Sequence, residues 1–296
     1  LVVGPPKSGK TDFCIDQVFR AAGDPGTKEF WYLVPDGYYA RYIRQRFAKR
    51  GGMLGMHAAT FGSIFREILE KSGNPVIILP EVASQMLIRA AVRQVYTNGQ
   101  LGFYAGIRDK PGFISALQSR FAELKRAMIN QAALIDYSAD KDNATQELAH
   151  IYSHYQQILR NGGWADFEGI SWLSVEFLEK NPDWNPAWEM LVLDGFDSFT
   201  PPQLKTLKLL ANRIPEIWIT LPGDRRLVEG TPPHSFGRFA ETYQDIGALV
   251  SIEEIIHLEP LEWQPQLRFL ETHLSRSEEH TSELQSPCNL VCRLLL

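Results

Sequence analysis

A glycine-rich loop near the N-terminus constrains the fold of this chain more than any other feature of the sequence. Its residues match the pattern G-x-x-x-x-G-K-[ST] at every defined position, and they are Gly4, Pro5, Pro6, Lys7, Ser8, Gly9, Lys10 and Thr11. An apolar segment, residues 1–3, precedes the loop, and an amphipathic segment, residues 10–22, follows it. Loops of this kind turn backbone N–H groups toward a phosphate at the start of a helix. The sequence therefore predicts a P-loop between a strand and a helix.

Three side chains are expected to bind the phosphates and a metal ion. Lys10 is predicted to reach the β and γ phosphates and the Thr11 hydroxyl to bind Mg²⁺, so the predicted ligands are ATP and Mg²⁺. A P-loop also needs a carboxylate at the end of another strand, and Asp194 follows the apolar run 190–193. The alternatives are a glycine-rich turn with a chance lysine and an ordinary aspartate at a strand end.

The order of strands and helices predicts an α/β fold. Strands are expected at residues 1–3, 30–34, 56–60, 189–193 and 216–221, and helices between them at 10–22, 39–49, 61–71 and 202–211, with a further helix at 267–274. The intervening segments 82–96, 112–128, 145–159 and 167–179 show only helical spacing. We therefore expect a RecA-like P-loop NTPase core of parallel strands, residues 1–79 and 181–275, with an inserted all-helical domain at 80–180.

Composition narrows the functional classes. Hydrophobic residues make up 44% and charged residues 22% of the 296 residues, and no apolar run approaches the roughly 20 residues that span a bilayer, so no membrane role and no signal peptide are expected. The net charge of −5 requires any DNA contact to be local. Three cysteines are too few for a disulfide framework and favour a reducing cytoplasm.

The last 21 residues, 276–296, differ in character from the rest of the chain. Their sequence, RSEEHTSELQSPCNLVCRLLL, resembles the translation of a sequencing adapter. We expect this tail to be non-native and the gene fragment to be truncated at both ends. A metal site formed by His280, Cys288 and Cys292 is the alternative, but a single Cys-x-x-x-Cys pair is weak evidence for zinc.

Several short motifs in order resemble a known family. They read LVPD at 33–36, TFGS followed by IFREIL at 60–69, KPGF with ELK at 110–113 and 123–125, and DGFDSFTP at 194–201. Together they resemble the N-terminal helicase-like region of the AddB-type subunit of bacterial ATP-dependent helicase-nucleases, which are relatives of superfamily-1 helicases. The resemblance implies an ATP-binding and DNA-binding subunit, paired as a heterodimer with an AddA-type helicase-nuclease subunit in double-strand break repair and recombination. It also implies a C-terminal nuclease domain, often with an iron-sulfur cluster, in the full-length protein.

The residue after Asp194 bears on whether ATP is hydrolysed. Active superfamily-1 motors usually place a glutamate there as general base, whereas this chain has Gly195. Loss of that base is expected to lower the rate of ATP hydrolysis by about 10²-fold to 10⁴-fold. The alternative is that Asp197 acts as the base through a water molecule. The arginine of a second motor domain is not expected in so short a fragment. No residue is therefore assigned a catalytic role, and this chain alone is not expected to cut DNA.

Candidate DNA contacts follow the second and third strands. Arg41 and Arg44 are predicted to follow phosphates, and Thr60 and Phe61 to meet bases of single-stranded DNA or a duplex end. The alternative is an ordinary helix with arginines on its solvated face and aromatic rings against the sheet. Two other functional classes stay open, namely a non-enzymatic DNA-binding scaffold with a relic P-loop and an unrelated active P-loop ATPase.

Deletion of residues 276–296 tests the interpretation of the tail. We expect the free energy of unfolding to change by less than about 0.5 kcal/mol, because a non-native segment does not fit a folded core. Denaturant unfolding of the full chain and the truncated chain measures the difference. A clear loss of stability would show that the tail is docked.

Overall fold

The computed structural model describes residues 1–23, 28–73, 76–231 and 236–259 as an α/β protein. The strands of this part are β1 (Val2–Gly4), β2 (Glu29–Leu33), β3 (Met56–Ala59), β4 (Ile77–Ile78), β5 (Trp164–Ala165), β6 (Trp188–Leu193), β7 (Glu216–Pro222) and β8 (Ile256–His257). The helices are α1 (Lys10–Ala22), α2 (Gly37–Lys49), α3 (Phe61–Lys71), α4 (Glu81–Thr97), α5 (Pro111–Arg126), α6 (Gln131–Ser138), α7 (Asn143–Gly162), α8 (Gly169–Lys180), α9 (Pro201–Leu210), α10 (Arg225–Val228) and α11 (Arg238–Leu249), with a 3₁₀ turn at Ala105–Ile107. Three strands follow the order β7-β1-β8 and three others the order β3-β2-β6, and all of these pairings are parallel.

The first compact unit combines residues 1–14 with the described residues from 219 to 259. Its strand β1 pairs in parallel with β7 on one side and with β8 on the other. Val2 and Val3 are fully buried, which is the pattern of a central parallel strand covered on both faces. The predicted P-loop sequence begins at the carboxyl end of this strand.

The second unit covers residues 15–218. Strand β2 lies between β3 and β6, and both pairings are parallel. The ladder between β2 and β6 extends past the last strand residue, because the backbone N–H of Asp194 donates to the carbonyl of Leu33 at 2.9 Å. Asp194 is thereby fixed at the carboxyl edge of the sheet, where parallel α/β sheets commonly bind ligands.

A separate helical core forms within the second unit. Its buried side chains come mainly from α4, α5 and α7, with Phe121, Tyr152 and Tyr155 among the largest. The carboxylate of Glu147 on α7 accepts the backbone N–H groups of residues 102–104 at 2.6–2.9 Å. This carboxylate holds the loop after α4 onto α7.

One ion pair of this helical region is buried. The Lys125 ammonium, 1% exposed, donates to Asp166 at 2.6 Å, and the Tyr155 hydroxyl donates to the same carboxylate at 2.8 Å. Burial lowers the pKa of Lys125, and the charge of Asp166 opposes that shift. The pair joins α5 to the loop before α8. Because both charges are largely removed from water, each is compensated by the other.

Most predicted elements are confirmed to within about two residues, one expectation about the middle of the chain is wrong, and one helix there was not predicted. The segment 80–180 is not entirely helical, because β5 pairs in parallel with β4. Helix α6 was not predicted, since its apolar residues 132–135 are consecutive and give no helical period. The helix expected at 267–274 lies outside the described residues. The boundaries of the core and insertion stay predictions.

Replacing Lys125 tests the buried ion pair. We expect Lys125→Met to lower the free energy of unfolding by roughly 3 kcal/mol, because the Asp166 carboxylate keeps its burial and loses its cation. Lys141, which pairs with Asp140 at an exposed site, supplies the control, and Lys141→Met should cost less than about 1 kcal/mol. Urea unfolding measures both variants. Equal losses would contradict a structural role for the buried pair.

Candidate nucleotide site

The glycine-rich loop after β1 has a backbone that only particular residues tolerate. Lys7 and Gly9 adopt left-handed conformations, with φ of 61° and 82°. A Cβ atom at Gly4 would lie 2.4 Å from the Ser8 hydroxyl oxygen and 2.9 Å from the Leu258 carbonyl oxygen. Gly4 is therefore required by close packing, and Gly9 by a conformation that costs other residues about 1 kcal/mol or more.

The Lys10 side chain returns into the loop that precedes it. Its ammonium donates to the carbonyl of Gly4 at 2.6 Å and to that of Pro5 at 2.9 Å. The Ser8 hydroxyl is buried, and it has no hydrogen-bond partner among the residues that the structure describes. Thr11 occupies the first turn of α1 and is partly buried. The loop thus places a cation, a buried hydroxyl and a helix N-terminus together, which suits a phosphate.

In the second unit, Asp194 is a buried carboxylate held by two phenols. It is 2% exposed, and its Oδ2 accepts the hydroxyl of Tyr32 at 2.9 Å and the hydroxyl of Tyr39 at 2.9 Å. Tyr32 lies on β2 and Tyr39 in the first turn of α2. The sequence did not predict that either tyrosine contacts Asp194, because both stand far from it in the chain, and Tyr39 was considered only as part of a candidate DNA-binding segment.

Gly195 has no room for a side chain in this backbone. Its φ is +80°, and a Cβ atom there would lie 2.6 Å from Cε1 of Tyr39. A glutamate cannot occupy this position unless the Tyr39 ring and the backbone both move. Asp197, the alternative base, is exposed two residues further along the chain.

The structure separates the candidate DNA contacts into two groups. Arg41 and Arg44 are exposed on α2, and Arg44 and Thr60 line a shallow cleft of about 440 Å³ that also includes His57 and Ser63. These positions suit contact with a backbone phosphate.

Phe61 is different. Its ring is 5% exposed and packs against Phe65, Phe196 and Phe199 with centroid distances of 5.4–6.1 Å. These contacts join the start of α3 to the segment after β6. A stacking platform must be accessible to a base, so this burial does not favour the base contact of Phe61, which stays a prediction.

The described ranges do not contain the features of two other kinds of site. They hold no cluster of three or more His, Cys, Asp or Glu side chains that could bind a metal ion. No helix among them is long and apolar enough to cross a bilayer. The alternative metal site at His280, Cys288 and Cys292 lies outside the described residues.

A family model described as "ADDB, N-terminal" matches residues 1–276. The chain belongs to this family. The match covers the P-loop, the helical segment and the Asp194 region, and it ends where the adapter-like tail begins. The resemblance drawn from the short motifs is therefore confirmed.

Curated relatives share one name, which describes each as the B subunit of an ATP-dependent helicase/deoxyribonuclease. The protein of Caldanaerobacter subterraneus is 23% identical over 92% of this chain and 24% of its own length. The protein of Bacillus cereus is 26% identical over 95% of this chain and 25% of its own length, and that of Bacillus licheniformis 24% identical over 82% and 22%. The chain thus spans about a quarter of the length of these relatives.

Substitution of Gly195 tests the packing of Tyr39 above it. We expect Gly195→Ala to lower the free energy of unfolding by about 3 kcal/mol, because backbone strain and a steric clash add. Gly163→Ala, at φ +65° with no atom within 4 Å, isolates the strain and should cost about 1 kcal/mol. Gly37→Ala, with no positive φ and open space, should cost nothing. Denaturant unfolding compares the three variants, and equal losses at Gly195 and Gly163 would contradict the clash.

Proposed function

We propose that this chain is the nucleotide-binding, helicase-like portion of an AddB-type subunit and that its P-loop binds ATP. The observation that carries the proposal is the loop between β1 and α1, in which the Lys10 ammonium lies against the carbonyls of Gly4 and Pro5. Triphosphate oxygens are better partners for that ammonium than neutral carbonyls, because they carry negative charge and attract the cation more strongly. On binding, Lys10 would exchange the carbonyls for phosphate oxygens.

Magnesium fits the oxygen donors of this chain. The Thr11 hydroxyl and the Asp194 carboxylate are hard oxygen ligands of the kind that Mg²⁺ takes, and Asp194 is already oriented by two hydroxyl donors. Bound Mg²⁺ would neutralise charge on the phosphates. The loop residues are proposed as the triphosphate ligands, and Asp194 is proposed as an acidic ligand of magnesium.

The same site is proposed to hold ATP with little hydrolysis. Gly195 stands where active motors usually carry a general base, and the Tyr39 ring lies against it. Without this base, the rate of ATP hydrolysis would be lower by about 10²-fold to 10⁴-fold. Stabilisation of the γ phosphate by an arginine from a second motor domain is a further requirement that lies beyond the described residues.

DNA is the proposed macromolecular ligand. Support comes from the exposed Arg41 and Arg44, from the position of Thr60 beside Arg44 in one cleft, and from the name that the relatives share. The whole protein would act in the cytoplasm with an AddA-type subunit in double-strand break repair and recombination. Its nuclease chemistry would belong to the part of the relatives' length that this chain does not span.

A non-enzymatic scaffold with a relic P-loop is the second candidate. A relic loop would have no need to keep Gly4 packed on Ser8, left-handed Gly9 and a lysine folded into the loop together. Retention of the complete arrangement favours nucleotide binding.

Lys10→Ala tests the proposal. We expect the variant to lose detectable Mg-ATP binding, because the remaining backbone donors do not replace an ammonium over the phosphates. Isothermal titration of wild type and variant measures the affinity, with Lys49→Ala, an exposed lysine at the end of α2, as the charge-matched control. An unchanged affinity for Mg-ATP in Lys10→Ala, or an equal loss of affinity in Lys49→Ala, would contradict the P-loop assignment.

A further inference from the structure

Asp194 is held by side chains from two different elements. Tyr32 extends from β2, whose residues pair directly with β6, and Tyr32 itself stands opposite Val192. Tyr39 extends from the first turn of α2. Both hydroxyls donate to the same oxygen, Oδ2, at 2.9 Å. Two donors on one oxygen fix the plane and the direction of the carboxylate.

Tyr39 is itself fixed in place. Its backbone N–H donates to Oδ1 of Asp36, the N-cap of α2, at 2.8 Å. Its ring stacks on Tyr42 at a centroid distance of 5.8 Å and an interplanar angle of 17°. The ring edge also closes the space above Gly195. A phenol restrained in this way holds its partner with little loss of side-chain freedom on ligand binding.

We propose that Tyr32 and Tyr39 are positioning residues that hold the Asp194 carboxylate in the orientation in which it binds magnesium. This inference rests on the proposed nucleotide site and adds to it two residues that no sequence motif indicates. Partners of this kind orient a metal ligand through hydrogen bonds, and their removal typically costs about 10-fold to 100-fold in metal affinity.

The arrangement also accounts for Gly195. Because the Tyr39 ring occupies the space beside the Cα atom of Gly195, the residue after the magnesium ligand has to lack a side chain. One tyrosine therefore orients the metal ligand and excludes a carboxylate from the position of a general base. Metal binding and poor hydrolysis share one structural cause.

The test is the magnesium dependence of ATP binding by the full 296-residue chain. ATP affinity is measured by titration over a series of Mg²⁺ concentrations and also in EDTA, for wild type, Tyr39→Phe and Tyr32→Phe. Each variant removes one hydroxyl and keeps the ring. We expect either change to raise the Mg²⁺ concentration at half-maximal ATP binding by about 10-fold, while the weaker affinity in EDTA stays the same.

Tyr155→Phe is the matched control. It removes a phenol that donates to a buried aspartate, Asp166, at 2.8 Å in the helical core, so its effect on stability is of the same kind. Its magnesium profile should equal that of wild type.

Three results would overturn the inference. The first is a wild-type magnesium profile in both tyrosine variants. The second is an equal loss of affinity with Mg²⁺ and in EDTA, which would indicate a general structural effect. The third is a shift in Tyr155→Phe as large as in the other two. Absence of ATP binding by the wild-type chain would instead reject the proposed function itself, and the inference with it. Since Tyr32→Phe leaves α2 unchanged, it tests the claim even if Tyr39→Phe fails to fold.

Discussion

The conformation of the loop after β1 is the constraint on which the rest of the candidate site depends. Gly4 packs too closely against Ser8 to carry a side chain, and Gly9 is left-handed just before α1 begins. These two positions let the chain turn within five residues from a buried parallel strand into a helix. The turn brings the Lys10 ammonium back onto the loop carbonyls. Without this turn, the Lys10 ammonium and the N-terminus of α1 would not be placed where both could bind one phosphate group.

The surroundings of Asp194 bear on the proposal that this chain binds ATP with little turnover. The carboxylate is buried and fixed by two phenols, which favours a metal ligand of constant geometry. The next residue is a glycine with φ of +80° beneath a tyrosine ring. Restoration of a base would require changes at two positions at once, after β6 and in α2. A stable ATP complex is the function that this arrangement supports best.

Local chemistry explains which features could be predicted from the sequence. The strand and helix around the glycine-rich loop, the strand that ends at Asp194 and the helix α3 depend on short-range patterns, and they were predicted closely. Helix α6 was missed because its apolar residues are consecutive, and the burial of Phe61 depends on Phe196 and Phe199, more than 130 residues away. The phenols on Asp194 come from β2 and α2, 162 and 155 residues away. Such contacts are set by tertiary packing, which no local period or motif encodes.

A single-turnover assay tests most directly whether the site binds ATP without hydrolysing it. The wild-type chain is held in excess over radiolabelled Mg-ATP, with and without single-stranded DNA, and the release of phosphate is followed. We predict that ATP is bound and stays intact over the experiment in both conditions. Hydrolysis stimulated by DNA, at motor-like rates of about 1 to 10³ per second, would contradict it.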